Sequence, residues 1–168
     1  SNYDSGQSGA FQGLAVFKVS YINISFNTVV NLNKSGSSTA IYIDEDNTTS
    51  NAVFLNNIFY AKYGTAVKFN TGGNTGVKRS NYNLLFSGGT NLLAVGTTMY
   101  NTLSSIRINL KLDSNSIIKS LVFAGLTDLH AMSVELYKKG YPLSTLLKDI
   151  DGVLRSPGNP DIGAHIQR

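Results

Sequence analysis

The chain has 168 residues, the size of one domain that can bury an appreciable core. Charged residues make up only 14% of it, and although the net charge is +4 at pH 7, the positive residues are scattered along the sequence. Because nucleic-acid-binding proteins concentrate positive charge on one face, we expect no nucleic-acid partner. Cysteine is absent, which excludes disulfides and thiolate sites, and no apolar run approaches the ~18–20 residues that span a bilayer.

Short apolar segments separated by polar or glycine-containing turns make up the first part of the chain. Their length and their content of Val, Ile, Phe and Tyr are typical of β-strands. Strands are predicted at residues 14–19, 21–32, 40–43, 52–60, 65–69, 81–86 and 92–95. Residues 44–50 are predicted to form an exposed acidic loop.

An asparagine recurs within three of these segments, at Asn27, Asn57 and Asn83. Three mainly apolar residues follow each one, and the sequence numbers differ by 57 − 27 = 30 and 83 − 57 = 26. Periods of roughly 20–50 residues mark solenoid repeats, in which equivalent strands stack. Asn tolerates left-handed backbone geometry, and its amide both donates and accepts hydrogen bonds. We therefore predict that the three asparagines stack at one corner and have a structural role.

A second column of residues has nearly the same period. Ala15, Ala40 and Ala66 lie in strand-like stretches, and their sequence numbers differ by 40 − 15 = 25 and 66 − 40 = 26. Each such strand needs a neighbouring coil to bury its apolar face and to pair its backbone. Two columns in near-common period favour an all-β solenoid of about three coils over three unrelated loop asparagines in an Asn-rich chain.

The repeat fades after about residue 102. Alternating apolar residues predict a half-buried strand at 104–112, and residues 131–139 have helical character for one or two turns. We assign residues 1–103 to the coils and residues 104–168 to a coil remnant and a C-terminal capping segment, within one continuous domain. An uncovered terminal coil would expose apolar core and unpaired strand edges, so we expect this segment to cover the open end.

The end of the chain carries a motif rich in Asp and Gly. It consists of Asp151, Gly152, Arg155, Asp161, Ile162, Gly163 and Ala164. This ending resembles the closing signature of secreted bacterial right-handed parallel β-helix proteins of the pectate-lyase-like superfamily, although His165 stands where an aromatic residue is usual. The asparagine repeats resemble the same family. The resemblance implies a right-handed parallel β-helix. We expect Arg155 to pair with Asp151 or Asp161, or to bond a nearby carbonyl, and so to lock the final loop onto the stack.

The resemblance also implies a class of function. We expect the C-terminal scaffold and capping portion of a secreted or cell-surface bacterial protein that binds or processes polysaccharide. This portion is expected to be non-catalytic by itself and to continue upstream β-helix coils. Two alternatives stay open, because one fold hosts many functions. The first is a polysaccharide lyase or glycoside hydrolase with part of its site on these coils, and the second is a surface adhesin or phage-spike segment.

Aromatic and cationic residues on the coils are the candidates for glycan binding. Aromatic faces beside cations suit acidic sugars. The coil period places Tyr42 and Lys68 one rung apart, close enough to touch one sugar chain. We therefore predict an outer glycan-binding face formed by Tyr42, Tyr60, Lys68 and Arg79, with ordinary exposed side chains as the alternative. No motif assigns a catalytic residue.

The acidic loop offers oxygen ligands for Ca²⁺, a hard cation, with Asp44 and Asp46 as the candidate ligands. The resemblance favours calcium, because many polysaccharide lyases on this fold use it, and a solvated loop is the alternative. No other cofactor is expected. His130 and His165 have no Glu or Cys at metal-ligand spacing, so we predict structural roles for both.

Overall fold

The computed structural model describes residues 9–17, 19, 21–44, 51–70, 76–125 and 127–165. In these ranges the chain is mostly β, as predicted. The strands are β1 (Gln12–Phe17), β2 (Asn23–Ser25), β3 (Thr28–Asn31), β4 (Thr39–Asp44), β5 (Ala52–Leu55), β6 (Ile58–Ala61), β7 (Thr65–Asn70), β8 (Val77–Asn81), β9 (Leu84–Ser87), β10 (Leu93–Val95) and β11 (Thr98–Tyr100). The helical elements are α1 (Leu103–Leu110) and a 3₁₀ helix (Val134–Leu136). Within the described ranges, neither has the length and apolar character needed to cross a membrane.

Consecutive strands from β1 to β9 belong to three different sheets, and every third strand returns to the same sheet. The sheet orders are β1-β4-β7-β10-β11, β2-β5-β8 and β3-β6-β9. Equivalent strands of successive repeats pair in parallel, which confirms the predicted parallel stacking. The pair β10–β11 is antiparallel and was not predicted. Parallel pairing of strands that recur at a regular interval therefore organises the part of the chain before α1.

The register corrects the predicted alanine column at its first member. Ala40 is level with Ala66, because Thr39 pairs with Thr65 and Ile41 with Val67 on either side. Ala15, however, pairs with Tyr42, and Gly13 is the residue level with Ala40. A Cβ on Gly13 would lie 2.7 Å from the Ala40 carbonyl oxygen, so the close approach of the two strands requires a glycine here. An alignment based on residue type misplaces the register of the first strand.

All three sheets contribute side chains to one buried apolar cluster. Its large members are Ile41 of β4, Phe54 of β5, Phe59 of β6, Phe69 of β7 and Leu85 of β9, each at most 2% exposed. The Phe54 ring lies between Phe59 and Phe69, with ring centroids 6.4 and 6.0 Å away. These aromatic contacts connect the sheets through their shared core. Alternate residues of each strand point to the opposite face of the sheet, where their side chains can contact other segments of the chain or solvent.

Helix α1 occupies the region where the alternating apolar pattern predicted a strand, and that prediction is wrong. The extended Thr102 caps the helix, since its Oγ1 accepts a hydrogen bond from the Ser105 backbone N–H at 3.1 Å. Leu103 and Ile106 are buried in the shared core, whereas Ile108 is 64% exposed. A short apolar pattern can satisfy both the strand period and the helix period, and the threonine cap is the signal that decides for the helix.

Much of the chain beyond α1 lies along one sheet. Leu121, Leu136 and Ile162 form a second buried cluster with Ile58 of β6 and Leu84 of β9. Ile58 and Leu84 each come one position before a residue of the shared core, Phe59 and Leu85, so they point to the opposite face of the sheet. The C-terminal segment therefore covers the outer face of β3-β6-β9. Among the described helices and strands of the expected cap, α1 is the one that packs into the shared core.

The close approach of successive repeats predicts a cost for Gly64→Ala. A Cβ at Gly64 would lie 1.9 Å from the Ser38 carbonyl oxygen, which also accepts the Thr65 backbone N–H at 2.9 Å. Backbone must move to relieve that overlap, so we expect a loss of about 1–3 kcal/mol in the free energy of unfolding. Gly36→Ala is the control, because a Cβ there has no atom within 4 Å. Urea unfolding of both variants measures the difference, and equal stabilities would contradict the register.

Candidate functional site

A ladder of asparagine side chains runs across the turns between the second and third sheets. The Asn27 backbone N–H donates to Asn57 Oδ1 at 3.0 Å, and the Asn57 backbone N–H donates to Asn83 Oδ1 at 2.9 Å. The side-chain amides of Asn57 and Asn83 also donate, to the Ile24 and Phe54 carbonyls at 2.8 and 3.1 Å. Asn57 and Asn83 are completely buried. The three asparagines that the sequence singled out are thus in contact along one column.

The left-handed residue of each turn is the one before the ladder asparagine. Phe26, Asn56 and Tyr82 have φ values of 56°, 60° and 55°. The expected reason for asparagine at the corner, its tolerance of left-handed geometry, therefore does not apply to the ladder residues themselves. Their hydrogen bonds are the reason instead, since a buried backbone N–H needs an acceptor.

The ladder continues beyond the predicted repeats and ends at a buried carboxylate. The Asn83 backbone N–H donates to Ser116 Oγ at 2.9 Å, and the Asn83 amide donates to Asp113 Oδ1 at 3.2 Å. Ser80 and Ser116 hydroxyls donate to the same carboxylate at 2.9 and 2.6 Å. Burial raises the pKa of Asp113, although these bonds and the charge of Arg107 oppose the increase. Inspection of the sequence missed this rung, because a serine replaces the asparagine and the interval to it is longer than the preceding one.

Arg155 fixes the closing motif through backbone carbonyls and an aromatic ring. It is 7% exposed, and its Nη2 donates to the Gly163 and Ala164 carbonyls at 3.1 and 2.7 Å. Its guanidinium carbon lies 4.0 Å from the centroid of the Phe26 ring, at the first ladder turn. Burial lowers the pKa of Arg155, and the charges of Asp149 and Asp161 act in the opposite direction.

The two acids expected beside Arg155 have other hydrogen-bond partners. Asp161 Oδ1 accepts the Lys138 backbone N–H at 2.7 Å, which ties the closing motif to the chain after the 3₁₀ helix. Asp151 bonds two histidines instead. Arg155 therefore bonds nearby carbonyls, which the prediction allowed alongside an acidic partner, and it also stacks on an aromatic ring.

The structure brings two of the four predicted glycan-binding residues together. Tyr42 of β4 and Lys68 of β7 are register partners, and Lys68 Nζ lies 5.9 Å from the centroid of the Tyr42 ring. Phe17 of β1, which is 55% exposed, joins them with a ring centroid 6.0 Å from that of Tyr42. Partial burial and the charge of Asp44 raise the pKa of Tyr42. We call Phe17, Tyr42 and Lys68 the aromatic–lysine strip.

The other two predicted residues lie elsewhere. Tyr60 is only 8% exposed, stacks on Phe86 at 4.4 Å and meets Phe123 edge-on at 5.3 Å. Tyr60 lies on the outer face of its sheet, as predicted, but its predicted availability for glycan binding is wrong, because the C-terminal segment covers that face. Arg79 belongs to β8 in another sheet, and its guanidinium carbon lies 4.2 Å from the centroid of the Tyr141 ring.

Half of the predicted calcium pair lies in the part of the chain that the structure describes. Asp44 is at the end of β4, and its Oδ1 accepts a hydrogen bond from Asn70 Nδ2 at 3.0 Å. Asp46 lies outside the described residues. An amide donor on the carboxylate is compatible with an ordinary surface hydrogen bond between neighbouring strands, so calcium at this loop stays a prediction.

A cluster that the sequence did not predict forms near the chain's end. His130 Nε2 and His165 Nδ1 bond the same Asp151 oxygen, Oδ2, at 2.9 and 3.1 Å. Asp128 bonds the other nitrogen of His130, and the two imidazole centroids are 3.7 Å apart. Bonds to Asp128 and Asp151 raise the pKa of His130, and bonds from His165 and His130 lower the pKa of Asp151. The three members lie far apart along the chain and match no local motif, so sequence inspection missed the cluster.

Two groups of side chains are therefore candidates for ligand binding, the aromatic–lysine strip and the His130–Asp151–His165 cluster. Comparison with known proteins found no match to this chain among family models, curated proteins or solved structures. The chemistry of the two groups follows from their own geometry. The strip offers aromatic faces beside a cation, and the cluster offers two imidazoles beside a carboxylate.

Removing the middle rung of the ladder should destabilise the fold. Asn57→Ala deletes the acceptor of one backbone N–H and leaves the Ile24 carbonyl without its side-chain donor. A buried polar group left unpaired costs about 1–3 kcal/mol, and we expect at least that loss in chemical unfolding. Asn70→Ala is the matched control, an exposed asparagine bonded to Asp44, with an expected change within about 0.5 kcal/mol. Similar losses in the two variants would contradict a supporting role for the ladder.

Asp113 should make stability dependent on pH. Burial raises the pKa of Asp113 in the folded protein above its usual value of 3.8. The stabilisation of the folded state by this protonated carboxyl is therefore fully present below the usual pKa, and it is lost as the pH rises through the folded pKa. Asp113→Asn keeps Oδ1 as an acceptor and removes the charge. We expect the wild type to lose stability relative to this variant as the pH rises above about 4, measured by urea unfolding.

The control for that experiment is Asp44→Asn, which makes the same carboxylate-to-amide change at the end of β4, where the side chain is not fully buried. A pH dependence shared by both variants would not be specific to Asp113. A constant difference between wild type and Asp113→Asn would show that the Asp113 carboxylate does not keep its proton more tightly in the folded protein.

Proposed function

We propose that the chain is the C-terminal scaffold and capping portion of a right-handed parallel β-helix, with β1–β3, β4–β6 and β7–β9 as three successive coils. The supporting observation is that each of these triplets contributes one strand to each of three parallel sheets. The right hand follows from the strong preference of parallel crossovers for that hand. The shared apolar cluster and the asparagine ladder support the same arrangement, because both require the triplets to stack in register.

The scaffold role is supported by how the two ends of the sheets differ. Among the described strands, β1, β2 and β3 stand at one edge of their sheets, where further coils of the same protein would add by parallel pairing. At the other edge β10 turns back into β11, α1 packs beside it, and the ladder ends at Asp113. The closing features lie on the C-terminal side, which supports the capping assignment.

The binding partner that we propose is an acidic polysaccharide at the cell surface or outside the cell. The observation that carries this step is the aromatic–lysine strip, with Lys68 over the Tyr42 ring and the exposed Phe17 beside it. Neighbouring strands are ~4.8 Å apart, so rungs of the strip are spaced to contact successive parts of one extended sugar chain. The aromatic rings offer faces to sugar rings, and the ammonium group offers a charge to a carboxylate or sulfate.

We propose that the chain binds without catalysis. A glycoside hydrolase needs two carboxylates roughly 5–10 Å apart across a groove. Among the described residues of β1 to β9, Asp44 is the single carboxylate. A lyase needs a base and a cation positioned at one sugar, and within the aromatic–lysine strip Lys68 is the one charged group. The arrangement supports an attachment role for a larger protein.

Binding to a panel of uronate and neutral polysaccharides tests the proposal. We expect Tyr42→Ala and Lys68→Ala to weaken uronate binding by about tenfold each, or ~1.4 kcal/mol, measured by calorimetry. Tyr137→Ala and Lys78→Ala are matched controls at exposed positions away from the strip, and they should bind as the wild type does.

Three results would count against the proposed binding face. Equal losses in the strip and control variants would mean nonspecific charge attraction. Absence of binding to every glycan would leave the scaffold role alone. Cleavage of a uronate polymer that disappears in Lys68→Ala would favour the lyase alternative instead.

A further inference from the structure

Three side chains from distant parts of the chain meet at one point beside the closing motif. His130 lies within the segment that covers β3-β6-β9, Asp151 lies in a tight turn at the start of the closing motif, and His165 follows that motif. One ligand atom from each residue lies within 4.8 Å of the others. We propose that His130, Asp151 and His165 bind a divalent transition-metal ion, with Zn²⁺ as the principal ligand.

The chemistry of the three donors favours this class of ion. Imidazole nitrogens suit Zn²⁺ and related transition metals, whereas Ca²⁺ and Mg²⁺ prefer oxygen ligands throughout. Two imidazoles and one carboxylate form a three-ligand set that leaves one position of a tetrahedral zinc ion open. The site is therefore chemically different from the acidic loop at Asp44, which offers oxygen atoms only.

The distances in the cluster are close to those of a coordination sphere. Two ligands at about 2.0–2.1 Å from a tetrahedral zinc ion are about 3.3 Å apart. The Asp151 oxygen lies 2.9 Å from His130 Nε2 and 3.1 Å from His165 Nδ1. Both separations are within about 0.4 Å of that value, and one ligand atom from each of the three residues lies within 4.8 Å of the others, so modest movements would let them surround an ion. The side chains of His130 and Asp151 are 42% and 44% exposed, so an ion can reach them from solvent.

A second carboxylate orients the first histidine. Asp128 bonds His130 Nδ1 and also accepts the His130 backbone N–H at 3.1 Å. A carboxylate on one imidazole nitrogen fixes the tautomer that leaves the other nitrogen free for a metal, and it raises the basicity of that ligand. In this structure the oriented nitrogen is Nε2, which faces Asp151.

Backbone hydrogen bonds hold the second ligand in place. Asp149 Oδ1 accepts the backbone N–H groups of Asp151 and Val153 at 3.0 and 2.7 Å. Gly152 adopts φ +79°, and its N–H donates to the Asp149 carbonyl at 3.1 Å. The turn therefore presents the Asp151 carboxylate from a defined backbone. Such preorganisation lowers the ordering cost of binding.

The third ligand is placed by the closing motif itself. The Ala164 backbone N–H donates to Thr28 Oγ1 at 3.1 Å, and the Ala164 carbonyl accepts from Arg155 at 2.7 Å. These bonds attach the residue before His165 both to β3 and to the buried arginine. A metal ion at the cluster would join this anchored segment to the segment that carries His130. Binding that requires the folded arrangement stabilises it, so the ion acts as a clamp on the outer cover of β3-β6-β9.

Calorimetric titration of the metal-free chain with ZnCl₂ measures the proposed site directly. We expect one ion per chain and a rise in Tm of about 5–10 °C at about 100-fold excess over the Kd. CaCl₂ and MgCl₂ at the same concentrations should give no change in Tm that depends on His130 or His165. Substitution of Co²⁺ should give visible absorption bands typical of a tetrahedral site with nitrogen and oxygen ligands.

Glutamine variants separate metal binding from hydrogen bonding. His130→Gln and His165→Gln keep a polar amide beside Asp151 but remove an imidazole, and each should lower zinc affinity by at least about 100-fold, more than the loss of an outer hydrogen-bond partner does. Asp128→Asn should lower it by about 10–100-fold, because Asp128 orients His130 without binding the ion. Asp44→Asn is the matched control and should bind zinc as the wild type does. Circular dichroism of each variant without metal checks that it is folded.

Two outcomes would overturn the proposal. Zinc affinity that is the same in the wild type and in both glutamine variants would place the ion elsewhere on the chain. A wild type whose Tm and spectrum do not respond to Zn²⁺ or Co²⁺ would show that the cluster is a network of hydrogen bonds alone. Neither outcome depends on glycan binding, so the test is independent of the proposed function.

Discussion

The buried amides of the asparagine ladder are the constraint on which the rest of the structure depends. Asn57 and Asn83 are removed from water, and an unpaired amide in that environment is costly. Each amide finds its partners in neighbouring repeats, so the repeats must stay in register for the hydrogen bonds to form. The left-handed residue before each asparagine turns the chain from the second sheet into the third. Register and sheet geometry are therefore set together at one corner.

The same requirement explains how the ladder ends. Asn83 is the last asparagine of the ladder, so its backbone N–H has no further asparagine to accept its hydrogen bond. Ser116 Oγ supplies the acceptor instead. Asp113 then accepts from the ladder amide and from two serine hydroxyls, and Arg107 donates to the Asp113 and Ser116 carbonyls. A carboxylate can collect several donors at one place, whereas another asparagine would bring donors of its own. Asp113 thus ends the ladder by accepting several hydrogen bonds, and removing its carboxylate from water is the energetic cost.

The C-terminal segment determines which surfaces of the sheets remain available. It covers the outer face of β3-β6-β9 with apolar side chains, and this buries Tyr60. The outer face of the first sheet carries Tyr42 and Lys68 with part of their surface exposed. The segment that covers one sheet also brings the two histidines to Asp151. The two proposed ligand sites therefore have separate origins. The aromatic–lysine strip lies on the repeated strands, and the His130–Asp151–His165 cluster lies in the C-terminal segment.

The repeat period and the apolar pattern were enough to predict the β class, the parallel pairing and the asparagine column, because these depend on contacts that recur at a regular interval. Tertiary structure alone decided features that depend on single distant contacts. Helix α1 replaced a predicted strand because a capping threonine and a packing surface outweighed an ambiguous period. Tyr60 became buried because a segment far along the chain covers it. The His130–Asp151–His165 cluster has no local spacing, since three separate segments of the chain bring its members together. A periodic sequence pattern predicts contacts that recur in every repeat. Contacts between segments that do not repeat depend on the tertiary structure alone.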